Sequence, residues 1–191
     1  AIVANSKYSN VATGEHGIEH ARRMADAAAK EIGATPDRVL VSSTGVIGVA
    51  LPIEIIERWM SGMAADLVDD PMVGAEGMMT TDTYAKALSV SVGAATITWV
   101  AKGSGMIEPN MATMLAYIFT DAAFDAPTID RLLRAAVDLS FNLLSVDTDT
   151  STSETCAILA NGLARTVKEA EFAAALTARC IRMTELLARA G

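Results

Sequence analysis

The sequence predicts a mixed α/β domain in which helices pack on sheets. Segments with helical periodicity alternate along the chain with short apolar or alternating runs that are typical of strands. Two strand-like runs flank Gly93 and predict a hairpin, so part of a sheet should be antiparallel. Hydrophobic residues make up 51% of the 191 residues but aromatic residues only 5%, which predicts an aliphatic core.

The predicted helices place apolar residues on one face, and they cover residues 15–32, 52–63, 72–79, 127–144 and 168–190. Gly33 fits the end of the first helix, and Pro52 fits the first turn of the second, where its missing N–H has no partner to lose. The predicted strands cover residues 1–4, 38–42, 87–92, 96–101, 112–120 and 155–160. The solvated face of the hairpin carries Ser89, Ser91, Thr96 and Thr98.

Charge and composition exclude several classes of protein. The net charge is −8, and no block of basic residues is present, so we expect no binding to nucleic acid. No apolar run reaches the ~20 residues that span a bilayer, so we expect no membrane segment. Cys156 and Cys180 lie far apart and fit small buried side chains better than a disulfide framework. This usage favours a reducing, cytoplasmic compartment.

The ends of the chain suggest that more sequence belongs to the protein. Ala1 opens directly into a strand-like run, where a complete protein would usually begin with Met. Gly191 follows a helical pattern immediately. We therefore expect residues 1–191 to form a single domain that is incomplete at both ends.

One motif matches the H-x-x-E-H pattern of zinc peptidases. His16 and His20 are four residues apart, so on a helix both imidazoles would share a face and could bind one Zn²⁺. They are the only two histidines, however, and Gly17 weakens the helix that would have to hold them. A solvated helix face is the better interpretation.

A second motif, the polar run at residues 146–150, is similar to the D-x-D-x-T loop of aspartyl phosphatases. That chemistry also needs a later lysine and an acidic pair for Mg²⁺, but Lys168 is the only later lysine and no Asp–Asp pair follows. An EF-hand is excluded because Thr152 stands at the position of the sharp-turn glycine. The run instead favours a turn in which Asp and Thr side chains accept nearby backbone N–H groups.

Two remaining features could support acyl chemistry. Residues 42–45 end a predicted strand, where backbone N–H groups could stabilise an oxyanion. Thr113 lies in a very apolar predicted strand, for which a threonine is an ordinary residue. If the bond before Thr113 were cut, its new α-amino group, with a pKa of about 7.7–8.0, could act as a general base for its own hydroxyl.

Residues 102–115 have the sequence KGSGMIEPNMATML, and this segment resembles the self-processing segment of the ornithine acetyltransferase family. Three more stretches resemble the family in the same order. Residues 41–48 are similar to its oxyanion loop, residues 79–83 to its substrate-binding loop, and residues 147–152 with 160–162 to a segment after the nucleophile.

The resemblance implies a fold and a reaction. The fold would be an α/β sandwich with two sheets between helices. The chain would cut itself between Ala112 and Thr113, and Thr113 would take the acetyl group of N-acetylornithine and pass it to glutamate. Thr44 and Gly45 would hold the oxyanion. Thr80, Lys102 and Thr113 would contact substrate.

The resemblance also implies the wider setting of the reaction. No metal and no dissociable cofactor is needed, although some members use acetyl-CoA as an acetyl donor. Members assemble as hetero-oligomers of α and β fragments. Lys7 and Tyr8 are bulky where the family has small residues, and Thr148 replaces a common glycine. A family glutamate is expected just past residue 191.

Two other readings remain open from the sequence. One is a self-cleaving amidohydrolase, similar to related aminopeptidases, in which water resolves the acyl-enzyme. The other is a truncated relative without catalytic activity. An assay with and without glutamate distinguishes the transferase from the hydrolase.

Overall fold

A computed structural model describes residues 1–108, 114–147, 149–164 and 167–190. These residues fall into two compact units, Ala1–Asp70 and Pro71–Gly191. The prediction of one domain over residues 1–191 stays a prediction.

The first unit contains two parallel strands joined by a long helix. Strand β1 (Ile2–Asn5) is followed by helix α1 (Gly14–Ile32) and strand β2 (Leu40–Ser43). The strands pair in register from Ile2 with Leu40 to Asn5 with Ser43. This β–α–β order is the connection that parallel strands require, because a tight turn cannot join them.

Helix α2 (Ile53–Met60) packs against α1 in the same unit. Met24 of α1 lies in a small core with Leu51 and Ile53. On the surface, Arg23 donates from Nε to Glu57 at 2.8 Å and from Nη1 to Glu54 at 3.2 Å, which links the two helices. The α1 helix ends at Gly33, whose φ of 66° is left-handed, as predicted.

The second unit is built on a four-stranded sheet. Its strands are β3 (Lys86–Val92), β4 (Ala95–Lys102), β5 (Leu115–Thr120) and β6 (Thr155–Ala160), in that order across the sheet. The β3–β4 and β4–β5 pairs are antiparallel, whereas β5 and β6 are parallel. The parallel pair encloses helix α4 (Ala126–Asp138) in the sequence.

Helices α3 (Pro71–Met78) and α5 (Glu169–Ala188) complete the second unit. Helix α5 contacts β3 and β4, and α4 contacts β6 and α5. The core lies between these helices and the sheet and includes Ile97, Trp99, Ile118, Phe172 and Leu176, each at most 1% exposed. Among the 22 buried residues of this core, only Trp99, Phe141 and Phe172 are aromatic, so the core is mainly aliphatic, as the composition predicts.

The predicted α/β class is confirmed, with two sheets and five helices among the described residues. The arrangement of both sheets between helices stays a prediction. The hairpin is also confirmed, with Ser89 opposite Thr98 and Ser91 opposite Thr96. No helix in the described ranges is both long and apolar enough to cross a membrane.

Several element boundaries differ from prediction, and three of the differences have a clear local reason. The second helix stops at Met60, because Gly62 takes a left-handed φ of 85°. The fourth stops at Asp138, where the Ser140 hydroxyl donates to the carbonyl of Ala136 at 2.6 Å. The strand predicted at residues 38–42 starts at Leu40, since Pro36 begins a short 3₁₀ turn.

Candidate active site

In the first unit, the candidate site is the pair of loops that follow strands β1 and β2. Because the strands are parallel, their carboxyl ends and the loops beyond them lie side by side. The Thr44 N–H donates to the carbonyl of Asn5 at 3.0 Å, and the Val46 N–H donates to that of Lys7 at 2.9 Å. The Ser9 N–H in turn donates to the carbonyl of Val46 at 2.9 Å. The loops therefore hold each other by backbone bonds.

Gly45 lies between the two donors of this ladder and has a φ of 130°. A Cβ atom at this position would lie 2.2 Å from the carbonyl carbon of Lys7 and 2.7 Å from the nitrogen of Tyr8. Only glycine fits so close to another backbone. Among the described residues, the backbone bonds use the N–H groups of Thr44 and Val46 but not that of Gly45.

Thr44 is 3% exposed and directly precedes this N–H group. Threonine hydroxyls and backbone N–H groups are the kinds of neutral donor that an oxyanion site requires. The structure thus places the two predicted oxyanion residues together, at the carboxyl end of β2.

In the second unit, the candidate site is centred on the Asp82 carboxylate. Its Oδ1 accepts from the Gly103 N–H at 2.7 Å and from Lys86 Nζ at 2.7 Å. Its Oδ2 accepts from the Thr80 N–H at 3.1 Å. We call Thr80, Asp82, Lys86 and Gly103 the Asp82 cluster.

Lys86 lies on the buried face of the sheet, and a buried ammonium group requires a nearby anion such as Asp82 to offset its loss of hydration. In strand β3 it alternates in phase with Leu88 and Val90, which pack on the core. The side chains of Lys86 and Asp82 are both fully buried. Lys86 Nζ also donates to the carbonyl of Tyr84 at 3.2 Å and lies 4.7 Å from the centre of its ring.

The pKa of Asp82 lies below its ordinary value. Burial opposes this shift because it disfavours the charged form. The bonds from the Gly103 N–H, from Lys86 and from the Thr80 N–H together outweigh burial and hold the pKa down. Asp82 is therefore an ionised carboxylate at neutral pH.

Lys102 ends strand β4, next to Gly103, and is 2% exposed. Burial lowers the pKa of Lys102 below its ordinary value; the charge of Asp82 opposes this and that of Lys86 adds to it. Thr80 and Lys102, the two described substrate residues of the prediction, thus belong to segments that bond to the same carboxylate. A hydrogen bond of 2.6 Å between the Thr81 and Ser104 hydroxyls also joins these segments.

The segment that leads toward the predicted cleavage bond is held by Asp147. Its carboxylate accepts from the N–H groups of Met106 at 2.6 Å and of Ile107 at 2.9 Å. The Ser145 hydroxyl also donates to Glu108 at 2.9 Å. Ala112 and Thr113, the predicted cleavage site and nucleophile, lie outside the described residues.

The two alternative motifs have different outcomes. His16 is exposed, and nowhere in the described ranges do three or more His, Cys, Asp or Glu side chains gather to hold a metal ion. Asp147 does accept backbone N–H groups, as the turn interpretation predicts, but those of Met106 and Ile107 lie some forty positions away in the chain.

Sequence reasoning missed Asp82 and Lys86 as members of the site. The signal that could have found them is a lysine in phase with the apolar positions of a strand, since a buried cation requires a nearby anion. Asp82 is the nearest preceding acid in the sequence.

The fold and these two sites define a mixed α/β protein with a glycine-dependent loop after a parallel strand and a buried lysine–aspartate cluster. The model of the ArgJ family matches residues 1–191. The chain belongs to this family.

Individual relatives agree with this assignment. The chain is 50% identical over 176 residues to "Arginine biosynthesis bifunctional protein ArgJ 2" of Nostoc, covering 92% of this chain and 46% of the relative. It is 41% identical over 191 residues to "Glutamate N-acetyltransferase Oat2" of Streptomyces clavuligerus, covering 100% and 49% respectively. The chain spans about half the length of the curated relatives it matches.

A crystal structure of the ArgJ protein from Bacillus halodurans is 31% identical to this chain. The match covers 58% of this chain and 61% of that one, with a TM-score of 0.46.

Proposed function

We propose that this chain carries the nucleophile and the acetyl-binding part of an acyltransferase that moves an acetyl group from N-acetylornithine to glutamate. The observation that carries the proposal is the family match over residues 1–191. A relative named as a glutamate N-acetyltransferase, 41% identical along the whole chain, supports the same reaction.

Before the first turnover, the bond between Ala112 and Thr113 is hydrolysed by water, which leaves a carboxyl group on Ala112 and a free α-amino group on Thr113. The freed α-amino group takes the proton from the Thr113 hydroxyl, whose oxygen attacks the acetyl carbon of N-acetylornithine. The tetrahedral intermediate collapses, the bond to the ornithine nitrogen breaks, and that nitrogen takes the proton. The amine of glutamate then attacks the acetyl-threonine, which releases N-acetylglutamate and restores Thr113.

Thr44 and Gly45 are suited to stabilise the negative oxygen of both tetrahedral intermediates. The support is that both residues follow strand β2, that Thr44 is 3% exposed, and that Gly45 lets the loop backbones approach closely. Loss of one such donor lowers kcat by about 10²–10³-fold in acyl-transfer enzymes. We therefore expect Thr44→Ala to lower kcat to this extent, whereas Thr44→Ser, which keeps the hydroxyl, retains most of the rate.

Thr80 and Lys102 are suited to hold the amino-acid part of the substrate. Both substrates carry an α-carboxylate, and a buried lysine is a strong partner for such a group because few water molecules compete. The Asp82 cluster supports this role, since it fixes the Thr80 N–H and the Gly103 N–H next to Lys102.

The proposed reaction needs no metal and no cofactor, and acetyl-CoA is a possible second acetyl donor. The working form is a hetero-oligomer of α and β fragments in the cytoplasm, without a nucleic-acid or membrane partner. The net charge of −8 supports the exclusion of nucleic acid.

Intact-mass spectrometry of the full-length gene product tests the proposal. Two fragments divided between Ala112 and Thr113, with an acetyl adduct on the Thr113 fragment after exposure to N-acetylornithine, are the expected result. Thr113→Ala should give one uncut chain without adduct, whereas Thr113→Ser keeps a hydroxyl and should still be cut.

Transfer to glutamate is the second part of the test. Release of N-acetylglutamate should depend on added glutamate, and free acetate should stay low without it. An uncut wild-type chain without adduct would contradict the proposal. Rapid acetate release without glutamate would indicate the amidohydrolase instead.

A further inference from the structure

The Asp82 carboxylate bonds to two segments that are far apart in the sequence. It accepts from the Thr80 N–H on one side and from the Gly103 N–H, adjacent to Lys102, on the other. Both bonds are buried or partly buried, where an unpaired N–H would be costly. One side chain therefore sets the distance between the backbones that carry Thr80 and Lys102.

We propose that Asp82 is a positioning residue that holds Thr80 and Lys102 in the geometry required for substrate binding, with Lys86 as its buried counter-ion. The proposal rests on the proposed function in one respect, namely that Thr80 and Lys102 contact the substrate. Asp82 itself touches no reacting atom in this scheme.

The pattern of bonds distinguishes this role from that of a simple buried ion pair. A buried pair can often be replaced by apolar side chains of similar volume without loss of stability. Here the carboxylate also satisfies the N–H groups of Thr80 and Gly103, and an apolar side chain would leave both without that acceptor. Lys86 reaches only Oδ1, which leaves Oδ2 for Thr80.

A second link supports the same conclusion. The Thr81 and Ser104 hydroxyls are 2.6 Å apart, and these residues directly follow Thr80 and Gly103. The two segments are therefore joined at two successive positions, which restricts rotation of one against the other. Such a double link is what precise placement of two substrate contacts requires.

The first measurement is hydrogen exchange with mass spectrometry on the full-length protein. In Asp82→Asn, an NH₂ donor replaces one of the two carboxylate oxygens, so the side chain cannot accept from both the Thr80 N–H and the Gly103 N–H. Exchange should rise together in peptides that cover residues 79–82 and 102–105. The matched control is Asp121→Asn, which removes another carboxylate that accepts a distant backbone N–H, that of Thr96 at 2.7 Å.

The second measurement is steady-state kinetics with N-acetylornithine. Asp82→Asn should raise KM by about tenfold or more, with a smaller change in kcat, because placement of binding groups is lost rather than the nucleophile. Asp121→Asn should leave KM within about twofold. The double variant Asp82→Asn/Lys86→Met removes both charges and should recover melting temperature while its KM stays high.

The outcomes separate the two proposals. Unchanged exchange in Asp82→Asn, or a KM that returns to normal when the double variant regains stability, would overturn the positioning role. If exchange rises together in both segments of Asp82→Asn but the wild-type protein transfers no acetyl group, the positioning role of Asp82 stands and the proposed function is overturned. If Asp82→Asn does not fold, the double variant supplies both readouts.

Discussion

A Cβ atom on Gly45 would lie 2.2 Å from the carbonyl carbon of Lys7, far inside any allowed contact. The absence of a side chain at Gly45 is what lets the loops after β1 and β2 bond to each other. Glycine here is a requirement of packing as well as of conformation.

Gly45→Ala should therefore disrupt the loop and lower acetyl transfer by at least about 10²-fold, the effect of losing an oxyanion donor. Gly48→Ala is the matched control: Gly48 has a positive φ of 78° in the same loop, but a Cβ there meets no atom within 4 Å. It should lose stability but keep most of the rate. Equal loss of activity in both variants would mean that backbone strain alone explains the effect.

Lys7 is a non-glycine residue with a left-handed φ of 84°. Such a conformation costs a non-glycine residue about 1–2 kcal/mol. Glycine avoids this strain but loses more conformational entropy on folding, which offsets roughly 0.5–1 kcal/mol of the gain. Lys7→Gly should thus stabilise the protein by roughly 0.5–1 kcal/mol in urea denaturation. Lys7→Ala removes the same charge but keeps the Cβ, and should give no gain. A gain in both variants would assign the effect to charge.

Asp147 accepts from Met106 and Ile107, just before the segment that contains the predicted cleavage bond. Asp147→Asn should slow self-cleavage by about tenfold, because less precise placement of reacting groups lowers rate. Asp149→Asn is the control, since its side chain makes no such bond to residues 106–107. The fraction of cut chain against time on a denaturing gel measures both. Equal rates would show that Asp147 does not position this segment.

The pH dependence of this contact follows from its pKa. The N–H of Met106 holds the pKa of Asp147 below its ordinary value of 3.8; burial opposes this shift, and the N–H of Ile107 adds to it. A depressed pKa means that the contact stabilises fully above the unfolded pKa and is lost as pH falls through the folded pKa. Exchange protection of residues 106–107 should be constant from pH 7 to about 4 and fall only below that range.

The two cysteines should be unreactive in the folded protein. Burial raises the pKa of the Cys156 thiol to about 12 and that of the Cys180 thiol to about 11. Since the thiolate is the reactive form, alkylation at pH 8 should be at least about a hundredfold slower than for free cysteine. Both should react after denaturation. Rapid labelling of either one in the native protein would contradict the predicted inert role.

Periodicity in the sequence was sufficient for most of the fold. Helix α1 ends at Gly33, and strand β6 spans residues 155–160, as expected, because local pattern and stop residues determine these limits. The early ends of α2 and α4 depend on Gly62 and Ser140, whose effects arise from one φ value and one hydroxyl bond.

The candidate site was predicted less completely. Thr44, Gly45, Thr80 and Lys102 were identified by resemblance, whereas Asp82 and Lys86 were not given roles. Their importance depends on burial at the end of β3 and on the N–H of Gly103, which no local pattern reveals. The bonds from Met106 and Ile107 to Asp147 were missed for the same reason. A carboxylate that can accept a local N–H can equally accept a distant one, and the sequence does not distinguish the two.

Strand β4 pairs with β5 over six positions, from Ile97 with Thr120 to Lys102 with Leu115. A cut between Ala112 and Thr113 would put β3 and β4 on one polypeptide and β5 and β6 on the other, in the middle of a single sheet. The native protein would keep its shape, but refolding after denaturation would become a bimolecular reaction that slows on dilution. The cut would thus make the protein's unfolding effectively irreversible at low concentration.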